Sequence, residues 1–194
     1  MSDLSFLNEP IILASASPRR KELLEKAGFS VEVHPLDVDE SYPPDLPITE
    51  VALYIARKKA EAARVELSQD RVILTADSVV ILNNEILGKP RDKEEATEML
   101  RNLSGQNHLV MTGVCLIRGT ETVCIDITTE VLFEELSDEE INYYISYYQP
   151  YDKAGAYGIQ DWIGWCKVRS IKGSYANVMG LPVHEVYQAV KKGF

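Results

Sequence analysis

Residues 11–28 read IILASASPRRKELLEKAG, and this stretch decides the kind of fold the chain adopts. Ile11 to Ala14 is a short, continuously apolar run, the mark of a strand buried on both faces. It leads into the polar segment Ser15-Ala16-Ser17-Pro18-Arg19-Arg20. Beyond it, Leu23, Leu24 and Ala27 fall on one side of a helix, and Gly28 stands just past its end as a stop. The pattern is strand, polar loop, helix.

The same reading extends outward. Val31 to Val33 is a second strand, followed by a Pro-rich loop carrying Asp37, Asp39 and Glu40. Thr49 is placed to cap a long helix to about Glu66, with an apolar face of Val51, Ala52, Ile55, Ala56 and Ala60. Val72 to Leu74 is a buried strand ending at Thr75-Ala76-Asp77. Val79 to Leu82 and Ile86-Leu87 flank Asn83-Asn84-Glu85, which reads as a hairpin. Asp92 caps a helix ending near Leu103, with Gly105 as its stop. Two long strands follow, about His108 to Ile117 and Thr122 to Phe133, joined at Arg118-Gly119. Ser137-Asp138-Glu139-Glu140 has the form of a capping box and starts a helix to about Tyr148. The segment from Pro150 to Ser174 is rich in Gly and aromatics. Pro182 begins a closing helix to Lys192. No repeat, low-complexity tract or linker interrupts the series. αβ units mixed with long antiparallel strands predict one α/β domain over residues 1–194, a mixed, elongated β-sheet flanked by helices, split into two lobes around a central cleft.

Composition narrows the partners. At 45% hydrophobic and 26% charged residues the chain has the make-up of a folded globular protein. No apolar run approaches the roughly 20 residues that cross a bilayer. Met1 to Pro10 is acidic and lacks the basic start and apolar stretch of a secretion signal, so the expected compartment is the cytoplasm. A net charge of −10 argues against a nucleic-acid polymer, whose backbone calls for many Lys and Arg. It does not exclude a small nucleotide, which needs only a few clustered cations. Cys115, Cys124 and Cys166 form no CxxC pair and no metal-ligand spacing. Cys115 and Cys124 would face each other across a hairpin. In a reducing cytosol the expectation is two buried thiols rather than a disulfide.

Five segments carry candidate chemistry. The loop Ser15 to Arg20 leaves a buried strand and opens a helix, so it presents unpaired N–H groups and the positive end of the helix dipole. Arg19 and Arg20 add guanidinium forks matched to phosphate oxygens, although the dipole disfavours cations there. Such local conflicts are expected at functional sites. Read alone, the segment fits equally a solvated first turn capped by Ser17. Asp77 closes an apolar strand, where open sheets place ligand crevices, and could hold a divalent cation or orient a water. It could also simply cap a turn. Ser78 beside it could touch substrate or bond locally. Gly88-Lys89-Pro90-Arg91-Asp92 sets two cations on a stiffened loop, and Lys59 lies on the long helix. Either could be solvated. In Tyr151 to Gln160, Gly155 and Gly158 allow close backbone approach, Asp152 and Lys153 form a charged pair, and the Gln160 amide can donate and accept together, as reading a base edge requires.

Ser15-x-Ser-Pro-Arg-Arg20, Ala76-Asp77-Ser78, Gly88-Lys-Pro-Arg-Asp92 and Asp152-Lys-Ala-Gly-Ala-Tyr-Gly-Ile-Gln160 occur in this order. Taken together they resemble the Maf family of nucleotide pyrophosphatases, over Ile11 to about Tyr187. The pattern at Arg19 and Gln160 is similar to the branch acting on dTTP and UTP. The resemblance implies a Maf/ITPase-like fold and hydrolysis of a nucleoside triphosphate to monophosphate and pyrophosphate with Mg²⁺ or Mn²⁺. In that reading Asp77 is the proton acceptor and metal-site carboxylate, and Glu40 is an acidic residue near the metal. Arg19, Ser78 and Gln160 set substrate choice, and Ser15, Arg20, Lys59 and Lys89 surround the triphosphate. Ser78 departs from the family's usual Thr, which keeps the hydroxyl, loses a methyl and unsettles the ranking among pyrimidine and modified nucleotides. A homodimer is also implied. A non-catalytic nucleotide-binding regulator of cell division, in keeping with the family's association with septum formation, is the alternative. A binder has no need of a metal-holding carboxylate beside the phosphates. Carboxylates are weak bases at neutral pH, so metal ligation and water activation both remain open for Asp77.

Overall fold

Apolar runs, helix caps and positive-φ turns divide the described residues into fourteen strands and α-helices. They are β1 (Ile11–Leu13), α1 (Pro18–Lys26), β2 (Val31–Val33), α2 (Val51–Glu66), β3 (Ile73–Leu82), β4 (Glu85–Leu87), α3 (Lys93–Leu103), β5 (Asn107–Arg118), β6 (Glu121–Phe133), α4 (Asp138–Tyr148), α5 (Trp162–Lys167), β7 (Val168–Lys172), α6 (Tyr175–Met179) and α7 (Val183–Lys191). The computed structural model describes residues 4–67 and 70–194. Residues 1–3, part of the acidic opening, and residues 68–69 lie outside them. The sheet is mixed. Its order is β2-β1-β3-β5-β6-β7, with β4 also on β3. β1 runs parallel to both β2 and β3, whereas β3–β4 and β6–β7 are antiparallel.

The chain forms two compact units. One comprises Met1–Asp77, Thr112–Ile127 and Gly180–Phe194, the other Ser78–Met111 and Thr128–Met179. Strands β3, β5 and β6 contribute residues to both. In the first unit, Ile12, Ala14 and Ile73 pack with Cys115 and Ile117 against Ala56, Ala60 and Ala63 of α2. Alanines on that face let the helix lie close to the strands. Gly113 of β5 shows how close, because a Cβ there would collide with the backbone of Ala52 and Leu53. The Thr75 hydroxyl, fully buried, donates to the Ala56 carbonyl at 2.8 Å, so its desolvated polar group is satisfied. In the second unit the rings of His108, Phe133 and Tyr157 meet edge to face, with centroids 4.9–5.4 Å apart. Asn177 of α6 is buried and donates to the Val110 carbonyl and the Thr129 hydroxyl, both at 3.0 Å.

Local signals decide most element ends. Ser17 accepts from the Arg20 N–H, Asp92 accepts from the Glu95 N–H at 2.9 Å, and Ser137 with Glu140 completes a reciprocal capping box. Asn83 and Asn84 both take positive φ, as the tight β3–β4 hairpin requires.

Several expectations change. Thr49 does not cap α2. It lies in a short 3-10 turn, Ile48–Glu50, and the helix follows at Val51 without a side-chain cap. β3 does not stop at Asp77 but runs on through Ser78 to Leu82, so the carboxylate sits in mid-strand. The Gly- and aromatic-rich stretch holds α5 and β7. The cysteines also differ: Cys115 and Cys124 form a disulfide, with Cα atoms 4.3 Å apart. Their approach was legible, since directly opposed residues in a hairpin come about this close. The expectation of thiols rested on compartment, which carries no geometric information.

Candidate active site

The phosphate-loop candidate is shaped by Arg20. At 9% exposure, its guanidinium donates from Nε to the Gly180 carbonyl at 2.8 Å, and from Nη1 to the Ala76 carbonyl at 2.8 Å and the Ser15 hydroxyl at 3.3 Å. Burial lowers the Arg20 pKa, and the nearby Asp77 charge acts in the opposite direction. Arg20 thus fastens the loop after β1 to the strand that carries Asp77 and to the segment entering α7. Ser15 accepts in addition from the Ser17 N–H at 3.2 Å, so the loop is folded on itself. Arg19, next to it, is half-buried.

Asp77 and Thr75 alternate with Ala76 along β3 and so share the strand face turned to α2. Lys59 of α2 reaches that face. Its Nζ lies 2.8 Å from Asp77 Oδ1 and 2.6 Å from Glu40 Oε1, with the lysine side chain only 13% exposed. One ammonium therefore bridges a mid-strand carboxylate and a loop carboxylate far apart in sequence. The arrangement explains how β3 tolerates an acid among buried neighbours, because charges removed from water need partners. Ser15, Arg19, Arg20, Glu40, Lys59 and Asp77 all belong to the first unit.

Ser78, Lys89 and Gln160 belong to the second. Lys89 is exposed on the loop after β4, and the neighbouring Arg91 is tied to Glu95 at 2.9 Å. The Gly155 N–H donates to the Gly88 carbonyl at 3.0 Å, joining this loop to the segment carrying Gln160. Gly155 has φ +68° and faces Val80 at 3.1 Å, both reasons for glycine. Lys153 is 13% exposed and pairs with Asp152 at 2.7 Å.

The sequence profile of the family described as Maf-like protein matches residues 10–193. The chain belongs to the Maf family. Among similar proteins, one from Bacteroides thetaiotaomicron named dTTP/UTP pyrophosphatase is 51% identical over 183 residues, covering 94% of this chain and 95% of its own. One from Phocaeicola vulgatus with the same name is 52% identical at the same coverage. Among solved structures, the Ham1 protein of Staphylococcus aureus aligns over 67% of this chain and 73% of its own, at 19% identity and a TM-score of 0.45, a likeness too slight to build on.

The Maf chain's Asp77–Lys59–Glu40 cluster fits a divalent cation of the Mg²⁺ or Mn²⁺ kind by its donor chemistry. Two hard carboxylate oxygens already converge on one positively charged atom. Such ions are commonly held by one or two carboxylates plus substrate phosphates. Among the described residues no group of three or more His, Cys, Asp or Glu is placed to hold a metal ion.

Sequence reading passed over side chains that hold the segment carrying Gln160. Tyr144 and Trp165 both bond to the segment 158–161, Tyr144 through Gly158 and Asp161 and Trp165 through Gln160. Tyr144 sits on the apolar face of α4, where a tyrosine reads as core, and only the three-dimensional contact reveals its hydroxyl's partners.

Proposed function

We propose that this Maf chain hydrolyses pyrimidine nucleoside triphosphates, dTTP and UTP among them, to the monophosphate and pyrophosphate. Its site residues are those named above: Ser15, Arg20, Lys59 and Lys89 around the triphosphate, Asp77 and Glu40 for a metal, and Arg19, Ser78 and Gln160 for substrate choice. The observation that carries the reading is the Lys59 ammonium held between Asp77 and Glu40, in the same unit as the arginine-fastened loop. The relatives that share about half of this sequence carry the name of that activity.

Asp77 orients a water and accepts its proton as the water oxygen bonds to the α-phosphorus. The bond from that phosphorus to the α,β-bridging oxygen breaks, and pyrophosphate leaves. Lys59 sets Asp77 and Glu40 side by side and supplies a cation next to the phosphates. The N–H groups of the Ser15 loop and Arg19 bind phosphate oxygens, and Arg20 keeps that loop in shape. A divalent cation held by Asp77 and Glu40 would offset charge on the phosphate oxygens.

A panel of nucleoside triphosphates with Mg²⁺ or Mn²⁺, scored for pyrophosphate against free phosphate, tests this. Pyrophosphate from UTP and dTTP is expected. Phosphate alone would move cleavage to the γ-position, and no turnover of any member would overturn the reading. The proposed setting is the cytoplasm; cell fractionation that finds the protein elsewhere would remove that part of the reading. A homodimer belongs to the same proposal and fails if light scattering gives a monomer's mass at micromolar concentration.

A further inference from the structure

The turn from Gly158 to Asp161 is held by aromatic side chains from outside it. The Tyr144 hydroxyl, on a fully buried ring of α4, accepts from the Gly158 N–H at 2.9 Å and donates to Asp161 Oδ2 at 2.8 Å. The Trp165 indole N–H donates to the Gln160 carbonyl at 3.0 Å. Gly158 is the floor of this arrangement. A Cβ built on it would lie 2.6 Å from Asp161 Oδ2, 2.8 Å from Gln160 Nε2 and 2.9 Å from Lys153 Cε. The Asp161 carboxylate and the Gln160 amide are thus packed over the same point, and one hydroxyl fixes both the floor and the carboxylate. Among the described residues no donor reaches the buried Gln160 Oε1. Desolvation, followed by the Asp161 charge, raises the Tyr144 pKa, so the hydroxyl remains a proton donor at any working pH.

We propose that Tyr144 is a positioning residue for base recognition: by joining the Gly158 N–H to the Asp161 carboxylate, its hydroxyl sets the direction of the Gln160 amide and with it the choice among pyrimidine bases. The inference rests on the proposed reading of Gln160. Uracil presents a carbonyl oxygen where cytosine presents an amino group, so the preference between them depends on which way an amide points. A hydroxyl that holds the amide's surroundings acts on selectivity and leaves phosphate binding alone.

Y144F keeps the ring in its buried place and removes only the bridge. Binding of UTP, of CTP and of inorganic tripolyphosphate is measured by calorimetry on the whole chain, alongside kcat and KM for both nucleotides. The UTP-over-CTP preference is expected to fall about tenfold, carried by KM. Tripolyphosphate, which has no base, is expected to bind within about twofold of the parent protein. D161N retains a side-chain oxygen for the Tyr144 hydroxyl and should keep most of the preference, whereas D161L should lose it. The double variant Y144F/D161L should be no worse than either single change, since both remove one unit. An unchanged preference in Y144F, or an equal loss of tripolyphosphate binding, overturns the proposal. If Y144F does not fold, D161L with the D161N comparison decides alone. A parent protein that shows no base preference would instead refute the reading of Gln160, and that outcome is separable because it precedes any substitution.

Discussion

The two units solve the problem of buried polar groups in opposite ways. Around Asp77 in the first unit the groups are charged and paired: Lys59 lies between Asp77 and Glu40, and Arg20 is spread over two carbonyls and a hydroxyl. Around Tyr157 in the second they are mostly neutral. His108 meets the Tyr157 hydroxyl at 2.7 Å inside an aromatic cluster, and Tyr144 bridges a backbone N–H and a carboxylate. Paired charges bring ligand-attracting potential but need every partner present. Neutral hydrogen bonds among rings give a fixed geometry and little field. The contrast sets a unit whose buried groups carry charge against one whose buried groups fix geometry.

The most severe way to test the charged half is D77N, which keeps the size of the side chain and removes its charge. Turnover is expected to fall at least about 10³-fold, equivalent to roughly 4 kcal/mol of barrier. The thermal midpoint should move by only a few degrees. Near-normal turnover would remove Asp77 from the chemistry.

The neutral half makes a pH prediction. Burial pushes the His108 imidazole down to about 4, against the opposing effect of the Gln106 backbone. Between its unfolded value near 6.5 and about 4, the unfolded chain binds a proton that the folded chain refuses. Its contribution to stability is therefore complete above about 6.5 and lost as pH falls through that window, up to about 3 kcal/mol in all. H108Q, which can still meet the Tyr157 hydroxyl, should flatten this part of the profile. Urea midpoints at pH 7.5, 5.5 and 4.5 measure it, and equal slopes for both proteins would mean that another group sets the acid response.

A smaller effect probes packing alone. G113A drives a methyl group into the α2 backbone and should destabilise the first unit by about 1–3 kcal/mol, read from urea unfolding with an unchanged m-value. At the low end, R91A deletes an exposed i,i+4 pair with Glu95 and should change stability by less than about 0.5 kcal/mol. A larger loss there would give Arg91 a role beyond the surface.

The same contrast explains what could be read in advance. β1, α1, α3 and the α4 capping box announce themselves through local rules: apolar runs, Ser17, Asp92, Ser137 with Glu140. The bonding of Lys59 to both Asp77 and Glu40 was not readable from residue types, because it depends on tertiary placement across 18 and 19 positions of sequence. Asp77 reads as a strand end because polar residues usually interrupt apolar runs, and its pairing with Lys59 makes a mid-strand acid tolerable. α5 and β7 were invisible for a different reason. They are six and five residues long, and α5 starts without a side-chain cap and contains Gly164, so no periodicity accumulates. The disulfide is legible in hairpin geometry, which sets Cys115 opposite Cys124, and not in the expected compartment.

Asp77 and Ser78 are consecutive residues of β3 yet fall in different units. The boundary between them therefore falls inside a strand. Recombination has no seam there at which to exchange one half for a foreign module. New chain ends or inserted segments would be tolerated instead at the reversals, Asn83-Asn84 and Gly119, where positive φ already marks a hairpin tip.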